Sequence, residues 1–157
     1  MLTVVLVVEG VLRAPGGDGH LETGYGLYQA LAPVSQLYLL THEFEEEELT
    51  TWLKRQRLTG HLGVLNSPAP GPAGRLDVLE RVRSFRVSLV IEPDPACAAA
   101  ELAAGWTTLL HTHAAYAQPR WRPDYDGTPR PWGELTAEID RQQLLRIKDS
   151  RTTFKES

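Results

Sequence analysis

A single cysteine, Cys97, stands in the 157 residues, so no intrachain disulfide framework can form. That fits a reducing compartment. Lysine is scarce: Lys54, Lys148 and Lys155 are the only three, and arginine supplies the rest of the 16 basic residues. Basic residues are also outnumbered, 16 against 20 acidic, for a formal net charge of −4. A general nucleic-acid binder needs a basic face to displace counterions, so this composition argues against one. Long apolar runs are missing as well. The stretch Leu2–Val8 is too short to span a bilayer, and it meets Glu9 without a basic segment before it, unlike a signal peptide. A soluble, cytoplasmic protein with no membrane partner is the expectation.

What is present suits one folded domain. Hydrophobic residues make up 42% of the chain, enough for a core. Leu2–Val8, Gln36–Leu40, His61–Leu65, Val87–Ile91 and Thr107–Leu110 read as short buried strands. Between them lie four helical patterns, Tyr25–Leu31, Glu43–Gln56, Arg75–Arg83 and Pro95–Ala104. In the second, Leu49, Trp52 and Leu53 have the i, i+3, i+4 spacing of a buried stripe, and acidic residues load its start. Asn66–Gly74 reads as a Pro/Gly loop, and Gly105 suits the position just past a helix end. Strands alternating with helices imply an α/β fold around a parallel sheet. A final helix is expected over Gly133–Ile147, with Leu135 and Ile139 facing inward. The expected organisation is one domain over 1–149, with a core to about 113, an extension from 114 to 149 and a polar tail over 150–157.

In such a sheet, ligands bind beyond the carboxyl ends of the strands. Those ends carry Glu9-Gly10, Thr41-His42, Glu92-Pro93-Asp94 and His111-Thr112-His113, with Arg75 opening the helix before strand four. Three carboxylates, a hydroxyl and a guanidinium are thereby expected on one edge.

The motifs VVLVVEGVL, LLTH and VIEPDPACAAAELAAGWTTLL, in this order over about Leu2–Leu110, resemble the first, second and fourth motifs of the haloacid dehalogenase (HAD) superfamily. Arg75 is a loose match to the basic third motif. The resemblance implies a Rossmann-like three-layer fold with strand order 5-4-1-2-3. It also implies Mg²⁺-dependent phosphoryl transfer through an aspartyl-phosphate. The short Arg13–Gly24 insert leaves little room for a cap, and the chain looks most like small capless members found in actinobacteria and their phages. Host cytoplasm or a virion would then be its location.

Carried over by position, the nucleophilic Asp falls on Val7, which has neither a nucleophilic oxygen nor a metal ligand. The acid/base Asp falls on Glu9, one methylene longer. Gly10 and Leu12 match, Thr41 matches the phosphate-binding hydroxyl, and Glu92 and Asp94 keep acids around Pro93. Glu9, Thr41 and Arg75 are the candidate catalytic residues, and Glu9, Glu92 and Asp94 the candidate Mg²⁺ ligands. The expectation is a catalytically impaired HAD-like protein kept as a binding or structural module. The alternative is an active Mg²⁺-dependent phosphatase or nucleotidase with an unusual first motif.

Each candidate also has a plain structural reading. Val7 is core, Glu9 caps a turn or pairs with an arginine, and Thr41 caps the following helix. Arg75 is a surface helix residue, and Glu92 and Asp94 serve the next helix's N-terminus. His111 and His113 share a strand face but have no obvious third ligand, so a strand-end loop is expected rather than a metal site. Cys97 reads as a small buried hydrophobe. The Arg/Trp/Pro-rich segment 116–132 has the composition of an interface, for an unknown protein partner or self-association, but packing on the domain's own core is the simpler reading. A third functional reading is an assembly protein using this segment and the 150–157 tail.

Overall fold

The computed structural model describes residues 1–14, 17–112, 138, 141–145, 147 and 148. Five strands, β1 (Leu2–Val7), β2 (Ser35–Thr41), β3 (Gly63–Asn66), β4 (Leu89–Glu92) and β5 (Thr108–Leu110), form one sheet in the order β3-β2-β1-β4-β5. All four pairings are parallel. Read from the other edge this is 5-4-1-2-3, the expected order. Helices α1 (Glu22–Leu31), α2 (Glu46–Arg55), α3 (Pro72–Arg81) and α4 (Pro95–Ala103) connect the strands. The architecture is a Rossmann-like three-layer α/β fold.

The layers follow from the two-residue period of β1. Val4, Leu6 and Val8 turn to one face, where they meet Tyr28 of α1 and Leu49, Trp52 and Leu53 of α2. Val5 and Val7 turn to the other and pack on Val78 and Leu79 of α3. Both faces of the central strand are dry, which is why its sequence is apolar without alternation. Fully burying a side chain such as Leu49 or Leu53 contributes roughly 1.5–3 kcal/mol. The first direction of winding ends at β3, and the chain then returns to place β4 on the far side of β1. The carboxyl ends of β1 and β4 therefore flank the switch point, where an open α/β sheet leaves a crevice.

Several boundaries differ from the sequence reading. Helix α3 begins at Pro72, not Arg75, because Gly71 at φ +96 turns the chain and Pro72 occupies the first helical turn, where it needs no partner for a missing N–H. Gly74 in that turn packs so closely that a Cβ would overlap the Ala69 carbonyl and the Ser67 hydroxyl. Thr41 is not the cap of α2, which starts at Glu46 with Glu45 before it. Helix α1 starts earlier, at Glu22, and β3 starts later, at Gly63. Gly105, at φ +92, does follow the C-cap of α4, as its sequence position suggested. Glu138, Arg141–Leu145, Ile147 and Lys148 are helical, and the Gln142 amide reaches the Leu102 carbonyl at the end of α4. Leu135, Ile139, segment 116–132 and tail 150–157 lie outside the described residues.

Candidate functional site

The five candidate side chains all come to the carboxyl edge of the sheet, and all are buried. Relative exposure is 3% for Glu9, 0% for Thr41, 2% for Arg75, 0% for Glu92 and 3% for Asp94. They divide into two flanks.

On the first flank, β1 continues through Val8 into a tight turn. The Leu12 and Arg13 N–H groups both donate to the Val8 carbonyl, and Gly10 takes φ +95, a conformation few other residues adopt cheaply. This turn aims Glu9 at β2. One Glu9 oxygen accepts from the Thr41 hydroxyl at 2.7 Å, and the other accepts from the His42 backbone N–H at 2.9 Å. Thr41 in turn accepts from the Phe44 N–H at 3.2 Å. Thr41 thus caps the turn after β2 rather than α2 itself. Burial pushes the Glu9 carboxyl above its usual pKa, against the lowering effect of these hydrogen bonds. The His42 ring is buried beside it, with Nδ1 3.3 Å from Glu9. Neither ring nitrogen makes a hydrogen bond among the described residues. Burial, assisted by the Arg75 charge, pushes His42 down to about 3, so the ring is neutral. Above it, Arg13 pairs with Glu43 and Asp18 and lies over the Phe44 ring at 4.4 Å.

On the second flank, Arg75 reaches from the first turns of α3 to the end of β4. Its Nε donates to Glu92 at 2.6 Å and its Nη2 to the other Glu92 oxygen at 3.1 Å, a two-pronged pair. The expectation of a surface arginine is therefore corrected: the early start of α3 turns Arg75 inward. Burial opposes its charge, but Glu92 outweighs that and raises the Arg75 pKa above the usual arginine value. Glu92 also accepts from the Asp94 N–H, and Asp94 caps α4 by accepting from the Ala96 N–H at 2.9 Å. Glu101, fully buried two turns further along α4, has Oε2 3.9 Å from Arg75 and accepts from the Thr108 hydroxyl through Oε1. Burial first, then the Glu92 charge, raises the Glu101 pKa well above the glutamate range.

The carboxylates share an edge but not a centre. Among the described residues no group of three or more His, Cys, Asp or Glu side chains is placed to hold a metal ion. Glu9 faces two neutral donors, Glu92 faces a guanidinium and Asp94 faces a helix end, so these residues do not fit the Mg²⁺ ligand set that the sequence resemblance implied. Val7, in the nucleophile's place, is core between β1 and α3. His111 Nε2 meets the Thr23 hydroxyl at 2.9 Å, and His113 lies outside the described residues. Cys97 is buried, with its thiol pKa raised by burial, as a small apolar residue.

Sequence reasoning missed His42 and Glu101 as members of these clusters. His42 gave no signal beyond its neighbour Thr41. Glu101 did: Asp94, Cys97 and Glu101 fall at i, i+3, i+7, one face of a helix.

No family model matches the chain, and a search of curated proteins finds no match. A solved crystal structure aligns over 94% of this chain and 83% of its own length, at 14% identity and a TM-score of 0.47. That likeness is too distant to carry an argument.

Proposed function

We propose that this chain is a catalytically impaired HAD-like protein, kept as a binding or structural module. The observation that carries the reading is Val7. It stands where the motif order places the attacking carboxylate, is 0% exposed, and packs among Leu40, Val78 and Leu79. No oxygen is available there to form a covalent intermediate. Two further observations support it. Both Glu9 oxygens are engaged by Thr41 and His42, and Arg75 is engaged by Glu92. A general base needs its acceptor free toward a substrate proton.

The test is hydrolysis of a generic phosphomonoester with and without Mg²⁺, by the full chain and by Glu9→Gln. Turnover at the buffer level in both is the expected result. Mg²⁺-dependent turnover that Glu9→Gln abolishes would overturn it, and would establish the second reading, a phosphatase working through Glu9. Glu9→Gln preserves the size of the side chain, so circular dichroism should report an unchanged fold.

A further inference from the structure

We propose that Arg75 is the resident cation of the carboxyl edge, and that its guanidinium leaves the Glu92–Asp94–Glu101 cluster with no place for a divalent ion. The inference rests on the reading above in taking this edge as the site.

Glu92, Asp94 and Glu101 are 0%, 3% and 0% exposed, so their charges are poorly shared with water. Buried carboxylates persist only when protonated, hydrogen-bonded or paired with a cation. Each takes one of these routes. Glu92 is paired with Arg75 through both oxygens, at 2.6 and 3.1 Å. Asp94 is engaged by the amino end of α4. Glu101 stands behind the same guanidinium, with Oε2 3.9 Å from Arg75, and accepts from the Thr108 hydroxyl. A divalent ion would need oxygens from these residues at close range. To reach Glu92 it would have to break the two-pronged pair and leave a fully buried guanidinium beside it. The like charges would then repel in a medium that screens poorly.

The guanidinium is also built in. Arg75 sits on α3 at the turn fixed by Gly71, Pro72 and Gly74, so its reach to β4 follows from the backbone. Its Nη1 makes no hydrogen bond among the described residues, so the side chain is held by its acids and not by a wider network.

The experiment has two parts, both on the full chain. The first titrates Mn²⁺ and Mg²⁺ through the millimolar range by calorimetry, with Glu101→Gln alongside and with Asp94→Asn, since asparagine still caps a helix. No saturable heat is expected, and binding that neither Asp94→Asn nor Glu101→Gln weakens also fits, because the ion is then elsewhere. Saturable binding that either substitution removes would overturn the proposal. The second part compares the Tm of Arg75→Lys with that of Arg75→Gln. If charge is what the edge requires, Arg75→Gln should lose more Tm than Arg75→Lys, which keeps the charge but not the two-pronged geometry. Equal losses would overturn it. Both substitutions are repeated in the Glu101→Gln background, where one acid fewer requires the cation, so that folded chains are compared. The two readings fail separately. Metal-free turnover would defeat impaired catalysis and leave the resident cation standing, whereas Mg²⁺ binding at the Glu92–Asp94–Glu101 cluster without turnover would do the reverse.

Discussion

The two flanks of the carboxyl edge bury a glutamate by opposite means. Glu9 is held by a threonine hydroxyl and a backbone N–H, both neutral, and burial favours its protonated form. Glu92 is held by a guanidinium. Neutral donors make a buried acid inexpensive to remove, because what is left behind is two unpaired dipoles. A cationic partner makes it expensive, because what is left behind is an unpaired charge. The same residue type, at similar depth, thus carries very different energetic weight on two flanks of one edge.

The largest expected effect tests that difference directly. Glu92→Ala should destabilise the chain by about 3–5 kcal/mol, since Arg75 loses its counterion while remaining buried. Glu9→Ala should cost only about 1–3 kcal/mol by stranding the Thr41 hydroxyl and the His42 N–H. Urea unfolding of both variants measures the gap, and equal losses would erase the distinction between the flanks.

Acid should attack the first flank through His42. The folded chain keeps this ring neutral down to about 3, whereas an ordinary histidine titrates near 6.5. Between those values the unfolded chain binds the extra proton. Stability from this group is therefore whole above 6.5 and is lost as pH falls toward 3, by at most about 5 kcal/mol. His42→Gln should flatten the acid limb of a Tm-against-pH curve.

Rising pH should act on the second flank through Glu101. Its folded pKa is raised, so its contribution is whole below the ordinary value of 4.5 and is lost as pH rises through the folded value. Glu101→Gln imitates the protonated acid and should reduce the loss of stability as pH rises above 4.5. Glu9, also raised, acts in the same direction, so a residual slope in Glu101→Gln should shrink further when Glu9→Gln is added. A fall in stability above pH 4.5 that is unchanged in the double variant would refute this account.

The smallest effect sharpens the role of the first flank's hydroxyl. Thr41→Val keeps the side-chain shape but removes both the donor to Glu9 and the acceptor for the Phe44 N–H. A loss of about 1–2 kcal/mol is expected by urea unfolding. A loss as large as that of Glu92→Ala would mean that the neutral network, and not the ion pair, holds this edge together.

Much of the frame was legible in the residues themselves. The β-branched run of β1 declared a strand dry on both faces, Leu49, Trp52 and Leu53 declared the inner stripe of α2, and Asp94-Pro95 declared the start of α4. These depend on local periodicity and capping, which neighbouring residues suffice to specify. That Glu9, Thr41, Arg75, Glu92 and Asp94 share an edge also followed, because a parallel sheet brings all its strand ends together.

Tertiary structure decided what these groups do there. Whether Arg75 faced water or core depended on α3 beginning one turn earlier, which the Pro/Gly composition of 66–74 concealed. That both oxygens of Glu9 would be spent on β2, and that Glu101 would stand behind Arg75, depended on how deeply the strands and α4 pack. Pairing and burial are properties of distance across the fold. A buried carboxylate and a solvated one are the same letter in the chain, and only the packing around them sets which is charged, which is paired and which is free.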